Sequence, residues 1–184
     1  MIVSLEGING SLKERFTEHF VINKPDCIGR VICCPEVYPR FNEQAFKGWV
    51  YTVTRSTELW REATTNKDSG ITVFENSPFS IPSYVKALSE PYGEVGEDEY
   101  SLIVEIINGL SELMIPPDVI VLFEPKPTRL QDELMKKTQG YLQSWANAHL
   151  AQVVNIPYYP DDSTWETWYN NALKLIIETV EALR

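Results

Sequence analysis

Five short apolar runs rich in β-forming residues alternate along the chain with segments whose apolar residues recur at helical spacing. Such alternation is typical of a parallel sheet covered by helices on both faces. The sequence therefore predicts an α/β fold. The predicted strands are Ile2–Leu5, Arg30–Cys34, Gly70–Phe74, Val119–Phe123 and Gln152–Ile156.

Three helices are predicted from apolar residues at positions i, i+3, i+4 and i+7, which give each helix one face to bury. Ser163 and Glu166 have the spacing of a capping box, so the last helix should begin there and run nearly to Arg184. The three stripes are Phe46, Trp49, Val50 and Val53; Ile103, Ile106, Ile107 and Leu110; and Leu173, Ile176, Ile177 and Val180.

Composition limits the class of protein. With 184 residues, of which 43% are apolar, the chain is expected to form one globular domain spanning residues 1–184. A formal charge of −10 argues against nucleic acid or an anionic membrane as the main partner. No run approaches about 18 apolar residues, so neither a secretory signal nor a membrane span is predicted, and we expect a cytoplasmic protein.

Cysteine and histidine residues lack the spacing of metal ligands. We expect no resident metal, and we expect structural rather than reactive thiols, since two of the three cysteines lie in an apolar run. The residues concerned are Cys27, Cys33, Cys34, His19 and His149.

A glycine-containing turn between the first strand and a helix has the layout of a phosphate-binding loop, G-x-x-x-x-G-K-[S/T]. In such a loop backbone N–H groups hold phosphate, the lysine reaches the outer phosphates and the hydroxyl ligates Mg²⁺. Gly7 and Lys13 have the required separation, but Leu12 replaces the second glycine and Glu14 replaces the hydroxyl. A leucine opposes positive φ and close approach of phosphate, and a glutamate adds negative charge. The remaining loop residues that could contact phosphate are Asn9, Gly10 and Ser11.

Placing this loop after the first strand restricts the topology, because crossovers between parallel strands are right-handed. We expect a five-stranded parallel sheet in the order 2-3-1-4-5.

Four short segments, taken in order and with their spacing, resemble the deoxynucleoside kinase family, specifically its thymidine-kinase-2-like and insect-type group. The resemblance spans most of the chain and implies a P-loop-kinase three-layer sandwich. The segments are Leu5-Glu6-Gly7, Pro35-Glu36, Glu75-Asn76-Ser77 and Pro117-Asp118-Val119-Ile120-Val121-Leu122.

The resemblance implies that four residues contact the substrate: Glu36, Trp49, Glu75 and Asn76. Glu36 matches the family's general base for the nucleoside 5′-hydroxyl, and the alternative is a solvated loop acid. Trp49 falls where the family has a base-recognising glutamine. An indole can stack on a base but cannot make paired amide contacts, and its helical periodicity equally fits core packing.

Positive charge is missing where family members use it. Glu75 and Ser77 of the family's Glu/Asp-Arg-Ser element are present, but Asn76 replaces the arginine. Such arginines contribute of order 10³ or more to phosphoryl-transfer rates. The resemblance also implies an arginine-rich lid after the fourth strand, but residues 128–134 run almost directly into a helical pattern and are too short for a lid. Between residues 128 and 145 the basic residues are Arg129, Lys136 and Lys137.

Two functions follow from the resemblance. The first is a pseudokinase that needs no cofactor and acts as a nucleoside- or nucleotide-binding or protein-interaction module, with Glu14 as a built-in anion. It would form a homodimer or bind a protein partner through residues 46–60 and 100–113. The alternative is an active kinase using ATP and Mg²⁺, with Lys13 on the phosphates, Glu36 as base and Glu14 or Glu75 holding the metal.

Overall fold

The computed structural model describes residues 1–7, 11–33, 44–65, 70–83, 85–86, 97–111, 114–125, 132–148, 151–158 and 165–184. The strands are β1 (Ile2–Gly7), β2 (Ile28–Cys33), β3 (Ile71–Glu75), β4 (Val119–Phe123) and β5 (Gln152–Ile156). The helices are α1 (Lys13–Ile22), α2 (Gln44–Thr65), α3 (Glu97–Ser111), α4 (Asp132–Ala148) and α5 (Trp165–Ala182), with a 3-10 turn at Pro78–Ser80.

All five strands are parallel and lie in the order β2-β3-β1-β4-β5, which confirms the predicted topology. The predicted bounds of β4 and β5 are those observed. Strand β1 runs two residues further than expected, through Glu6 and Gly7, because it continues to pair with β4 up to Phe123. The carboxyl ends of β1, β2 and β3 therefore meet at one edge of the sheet.

Each face of the sheet has its own apolar cluster, which confirms the three-layer arrangement. On one face Leu5 packs with Phe16 of α1 and with Trp168 and Ile176 of α5. On the other face Phe74 packs with Trp60 of α2 and Phe79 of the 3-10 turn. Among the described helices, none combines the length and apolar character needed to cross a bilayer.

The predicted helical stripes are confirmed where their side chains are described. In α5, Ile176 and Val180 are buried, and the other two stripe residues pack partly against the same cluster. In α3, Ile103 and Ile107 are buried, and in α2 Val53 is. The Phe46, Trp49 and Leu110 side chains and residue Ser163 lie outside the described part of the chain.

Helix α1 is fixed to the sheet by an aromatic cluster around Phe16. The Phe16 ring centroid lies 5.2 Å from that of Phe123 on β4 and 5.0 Å from that of Tyr169 on α5. Trp168 meets the same ring edge-on at 6.2 Å. Because Phe16 is one helical turn after Lys13, this packing also fixes where Lys13 enters the site.

We predict that Phe16→Ala lowers the free energy of unfolding by about 3–5 kcal/mol, the usual effect of truncating a buried aromatic ring. The matched control is Val21→Ala on the same helix, where the side chain is 49% exposed and a change within about 0.5 kcal/mol is expected. Urea denaturation measures both. A loss below about 1 kcal/mol for Phe16→Ala would contradict the packing described.

Candidate functional site

Lys13, the first residue of α1, has its side chain inside the protein, where it is 1% exposed. Its Nζ donates a hydrogen bond to Oδ1 of Asn76 and lies 3.9 Å from Oε1 of Glu75. Glu75 ends β3, and β3 pairs directly with β1. The sheet order therefore brings together three residues that were predicted to belong to one site.

Asn76 has a backbone φ of 57°, in the left-handed region that asparagine tolerates better than most residues. Its N–H donates to the Leu5 carbonyl at 3.1 Å, which ties the turn to β1. Its side-chain oxygen faces Lys13 and accepts a hydrogen bond. An arginine at position 76 would place a second cation beside Lys13. Compared with that arginine, Asn76 has no positive charge and supplies a hydrogen-bond acceptor for Lys13.

Gly7 is required by close packing at the end of β1. A Cβ atom at this position would lie 2.9 Å from Oγ of Ser11 and 3.0 Å from Cβ of Phe123. Ser11 also forms an isolated antiparallel bridge with Pro125, just after β4. Ser11 therefore lies close to the end of β4. Asn9 and Gly10, the other predicted phosphate contacts, lie outside the described residues.

Leucine at position 12 adopts an ordinary backbone conformation. Leu12 has φ −82° and ψ 9°, which any residue can adopt, and its side chain packs partly against the core. Glycine is therefore not needed there for positive φ. Glu14 is exposed in the first turn of α1, where an acidic residue is stabilised by the helix dipole.

The Cys33 thiol lies beside Glu75, its partner in the β2–β3 register. Partial burial of the thiol, and then the charge of Glu75 and a hydrogen bond to it, raise the pKa of Cys33 to about 11; the charge of Lys13 acts in the opposite direction. Although its thiol is partly covered, Cys33 as a whole residue is exposed and is not enclosed in the core, because β2 is an edge strand. Glu75 thus lies between a thiol and an amine.

Glu6 is a second fully buried acid at this edge of the sheet, and it was not predicted as a site residue. Its Oε1 accepts hydrogen bonds from the Ser4 hydroxyl and, at 2.9 Å, from the Ser77 N–H. Its Oε2 has no hydrogen-bond partner among the described residues. Burial raises the pKa of Glu6, and the neighbouring Ser4, Ser77 and Ser80 lower it by less. One signal was available: an acid within the apolar run that forms β1.

The other predicted residues either lie outside the described part of the chain or are exposed elsewhere. Glu36 and Arg129 lie outside the described residues, as does the Trp49 side chain. Lys136 and Lys137 are exposed on α4. Within the described ranges, no three His, Cys, Asp or Glu side chains converge as metal ligands. His19 packs edge-on against Tyr169, with the ring centroids 4.4 Å apart.

Solved structures resemble the chain over nearly its whole length. Deoxyadenosine kinase from M. mycoides with bound dATP has a TM-score of 0.68 and 13% identity, covering 98% of this chain and 100% of that one. This chain has the P-loop-kinase fold of deoxynucleoside kinases. The same enzyme with bound dCTP gives 0.66 at 11% identity, covering 99% and 100%. Thymidylate kinase from Ehrlichia chaffeensis gives 0.59 at 14%, covering 98% of both chains. No family model matches the sequence, and no curated protein matches it.

We predict that Glu75→Gln makes Cys33 more reactive, because it removes the carboxylate charge that helps to raise the thiol pKa. At a fixed pH below that pKa, alkylation should speed up about tenfold for each unit by which the pKa falls. The rate is measured with iodoacetamide in a Cys34→Ser background, with Cys27 as internal reference. An unchanged or slower Cys33 rate would contradict this arrangement.

A second prediction concerns pH and Glu6, whose pKa in the folded protein is raised above the ordinary value of 4.5. The folded state keeps a proton that the unfolded state loses, so stability falls as pH rises from about 4.5 through the raised pKa. Glu6→Gln does not titrate. We expect its stability relative to the parent to increase with pH, by up to about 1.4 kcal/mol per unit.

Urea denaturation of both proteins between pH 4.5 and 8 measures this difference, since the other carboxyl groups titrate in both. A difference that stays constant with pH would show that Glu6 has an ordinary pKa.

Proposed function

We propose that this chain is a deoxynucleoside-kinase-like pseudokinase, a nucleoside-binding or protein-interaction module that transfers no phosphate. The observation that carries the proposal is the position of Lys13. Its amine is buried and is held by Asn76 and Glu75, whereas a phosphate-binding lysine must present its amine to the outer phosphates.

Binding of a triphosphate would have to break this internal arrangement. Moving Lys13 outward would break its contact with Glu75, a residue that is only 8% exposed. Separating two buried, oppositely charged groups is unfavourable, because water replaces the lost contact poorly inside the protein. The incoming phosphates would also meet the Glu75 carboxylate and the acidic residue Glu14 in the first turn of α1. Repulsion by these two negative charges disfavours triphosphate binding.

Catalysis has a further deficit at position 76. Phosphoryl transfer depends on positioning and on stabilisation of negative charge, and losing one fixed cation lowers rates by a factor of about 10³ or more. Asn76 is neutral, and its oxygen is already the acceptor for Lys13. Lys13, the cation that could compensate for the missing arginine, is therefore already bound to Asn76.

An uncharged nucleoside suits such a site better than a nucleotide does, because it needs no cation. The related structures hold dATP or dCTP in deoxyadenosine kinase, and we extend only the nucleoside part of such ligands to this chain. Glu36 remains our candidate for contacting the sugar, and Trp49 our candidate for contacting the base. Glu75, at the carboxyl end of β3, is a further candidate for contacting the sugar.

Assembly is a second part of the proposal. Helices α2 and α3 contact one another, and each has a large exposed apolar or aromatic side chain: Tyr51, 58% exposed, and Leu102, 44% exposed. These features support a homodimer or a protein partner through residues 46–60 and 100–113.

We predict that calorimetry with ATP and Mg²⁺ gives a Kd no tighter than about 1 mM, or roughly −4 kcal/mol, and that Lys13→Ala leaves it unchanged. Asn76→Arg removes the acceptor and adds a cation, so it should tighten ATP binding at least tenfold. Asn76→Asp is the matched control, because it keeps an acceptor oxygen and should not tighten binding.

The active-kinase alternative predicts a different outcome. Micromolar ATP binding abolished by Lys13→Ala, or deoxynucleoside phosphorylation near one turnover per second, would rule out the pseudokinase. Lys13 would then move to the phosphates, Glu36 would be the base, and Glu14 or Glu75 would hold Mg²⁺.

A further inference from the structure

Glu6 has no role in the proposed function, yet it is 0% exposed in the middle of the sheet. Burying a carboxyl group is unfavourable unless its polar atoms are used. One oxygen is used twice, by the Ser4 hydroxyl and the Ser77 N–H, whereas Oε2 forms no hydrogen bond with the described residues. A glutamate retained at such a position needs a reason beyond packing.

We propose that Glu6 is a positioning residue that holds residues 75–77 in the conformation directing Glu75 and Asn76 onto Lys13. This inference rests on the proposed function, since it explains what keeps the lysine inside.

Residues 76 and 77 are attached to β1 at two points, and we call this pair of hydrogen bonds the clamp. Asn76 N–H donates to the Leu5 carbonyl at 3.1 Å, and the next N–H, that of Ser77, donates to Glu6 Oε1 at 2.9 Å. Both acceptors belong to consecutive residues of β1. The left-handed backbone of Asn76 (φ 57°) lies between the two attachment points.

The left-handed conformation is unfavourable for a residue with a side chain, so it persists only where its surroundings impose it. Without the Glu6 acceptor, Ser77 N–H would be buried and unsatisfied, and residue 76 could relax to an ordinary conformation. The Asn76 oxygen would then turn away from Lys13.

The clamp also continues into the following turn. The Ser77 carbonyl accepts from Ser80 N–H at 3.2 Å and from the Ser80 hydroxyl at 2.9 Å. Both backbone polar groups of Ser77 are therefore satisfied, which fixes the direction in which the chain leaves β3. Removal of the Ser77 hydroxyl provides a control, because it leaves the Ser77 N–H and its contact with Glu6 intact.

The test measures how readily the Lys13 amine is acylated by an N-hydroxysuccinimide ester, relative to Lys174, whose side chain is 72% exposed in the same molecule. Peptide mass spectrometry gives the ratio for the parent, Glu6→Ala, Glu6→Gln and Ser77→Ala. We expect Glu6→Ala to raise the ratio at least tenfold. Glu6→Gln, which keeps the acceptor oxygen, and Ser77→Ala should remain within twofold of the parent.

A general loss of stability is excluded by a further control, Val180→Ala, which truncates a side chain that is 1% exposed in α5. All proteins are labelled under conditions where circular dichroism shows them to be folded. An equal rise in Val180→Ala, or no rise in Glu6→Ala, overturns the positioning role. If Lys13 in the parent reacts as fast as Lys174, the internal contacts are absent and the proposed function fails as well.

Discussion

The arrangement at the carboxyl edge of the sheet depends on the internal partners of one buried lysine. An amine removed from water must replace its lost hydration with hydrogen bonds and a counter-ion. Lys13 obtains these from Asn76 and Glu75, two consecutive residues at the end of the neighbouring strand. The aromatic packing of Phe16 holds α1 so that this lysine enters the site from a fixed position.

In the proposed function, the departures from the family's sequence pattern act together. Replacing an arginine by Asn76 removes positive charge that a transferring phosphate would need, and it also provides the acceptor that keeps Lys13 inside. Glu75 supplies the counter-ion and raises the pKa of Cys33 beside it. On this proposal the charges at the site are paired internally, which favours an uncharged ligand or a protein partner over a triphosphate.

The fold and part of the site could be predicted from the sequence, because apolar periodicity and crossover handedness depend on local pattern. Gly7 and Lys13 were assigned to the site from the spacing of the phosphate-binding loop, and Glu75 and Asn76 from the family resemblance. Comparison with a motif shows which residue types are missing but not which contacts replace them. The Lys13–Asn76 bond joins residues 63 positions apart, and the role of Glu6, the core packing of Leu12 and the exposure of Cys33 likewise depend on side-chain direction.

The most direct measurement of the central claim is the nuclear magnetic resonance signal of the Lys13 side-chain nitrogen in protein labelled with ¹⁵N-lysine and assigned by Lys13→Arg. During titration with ATP and Mg²⁺ at submillimolar concentrations, the Lys13 signal should not move, because its amine stays on Asn76 and Glu75. A saturable shift of that signal at micromolar nucleotide would show that Lys13 reaches phosphate and would contradict the account.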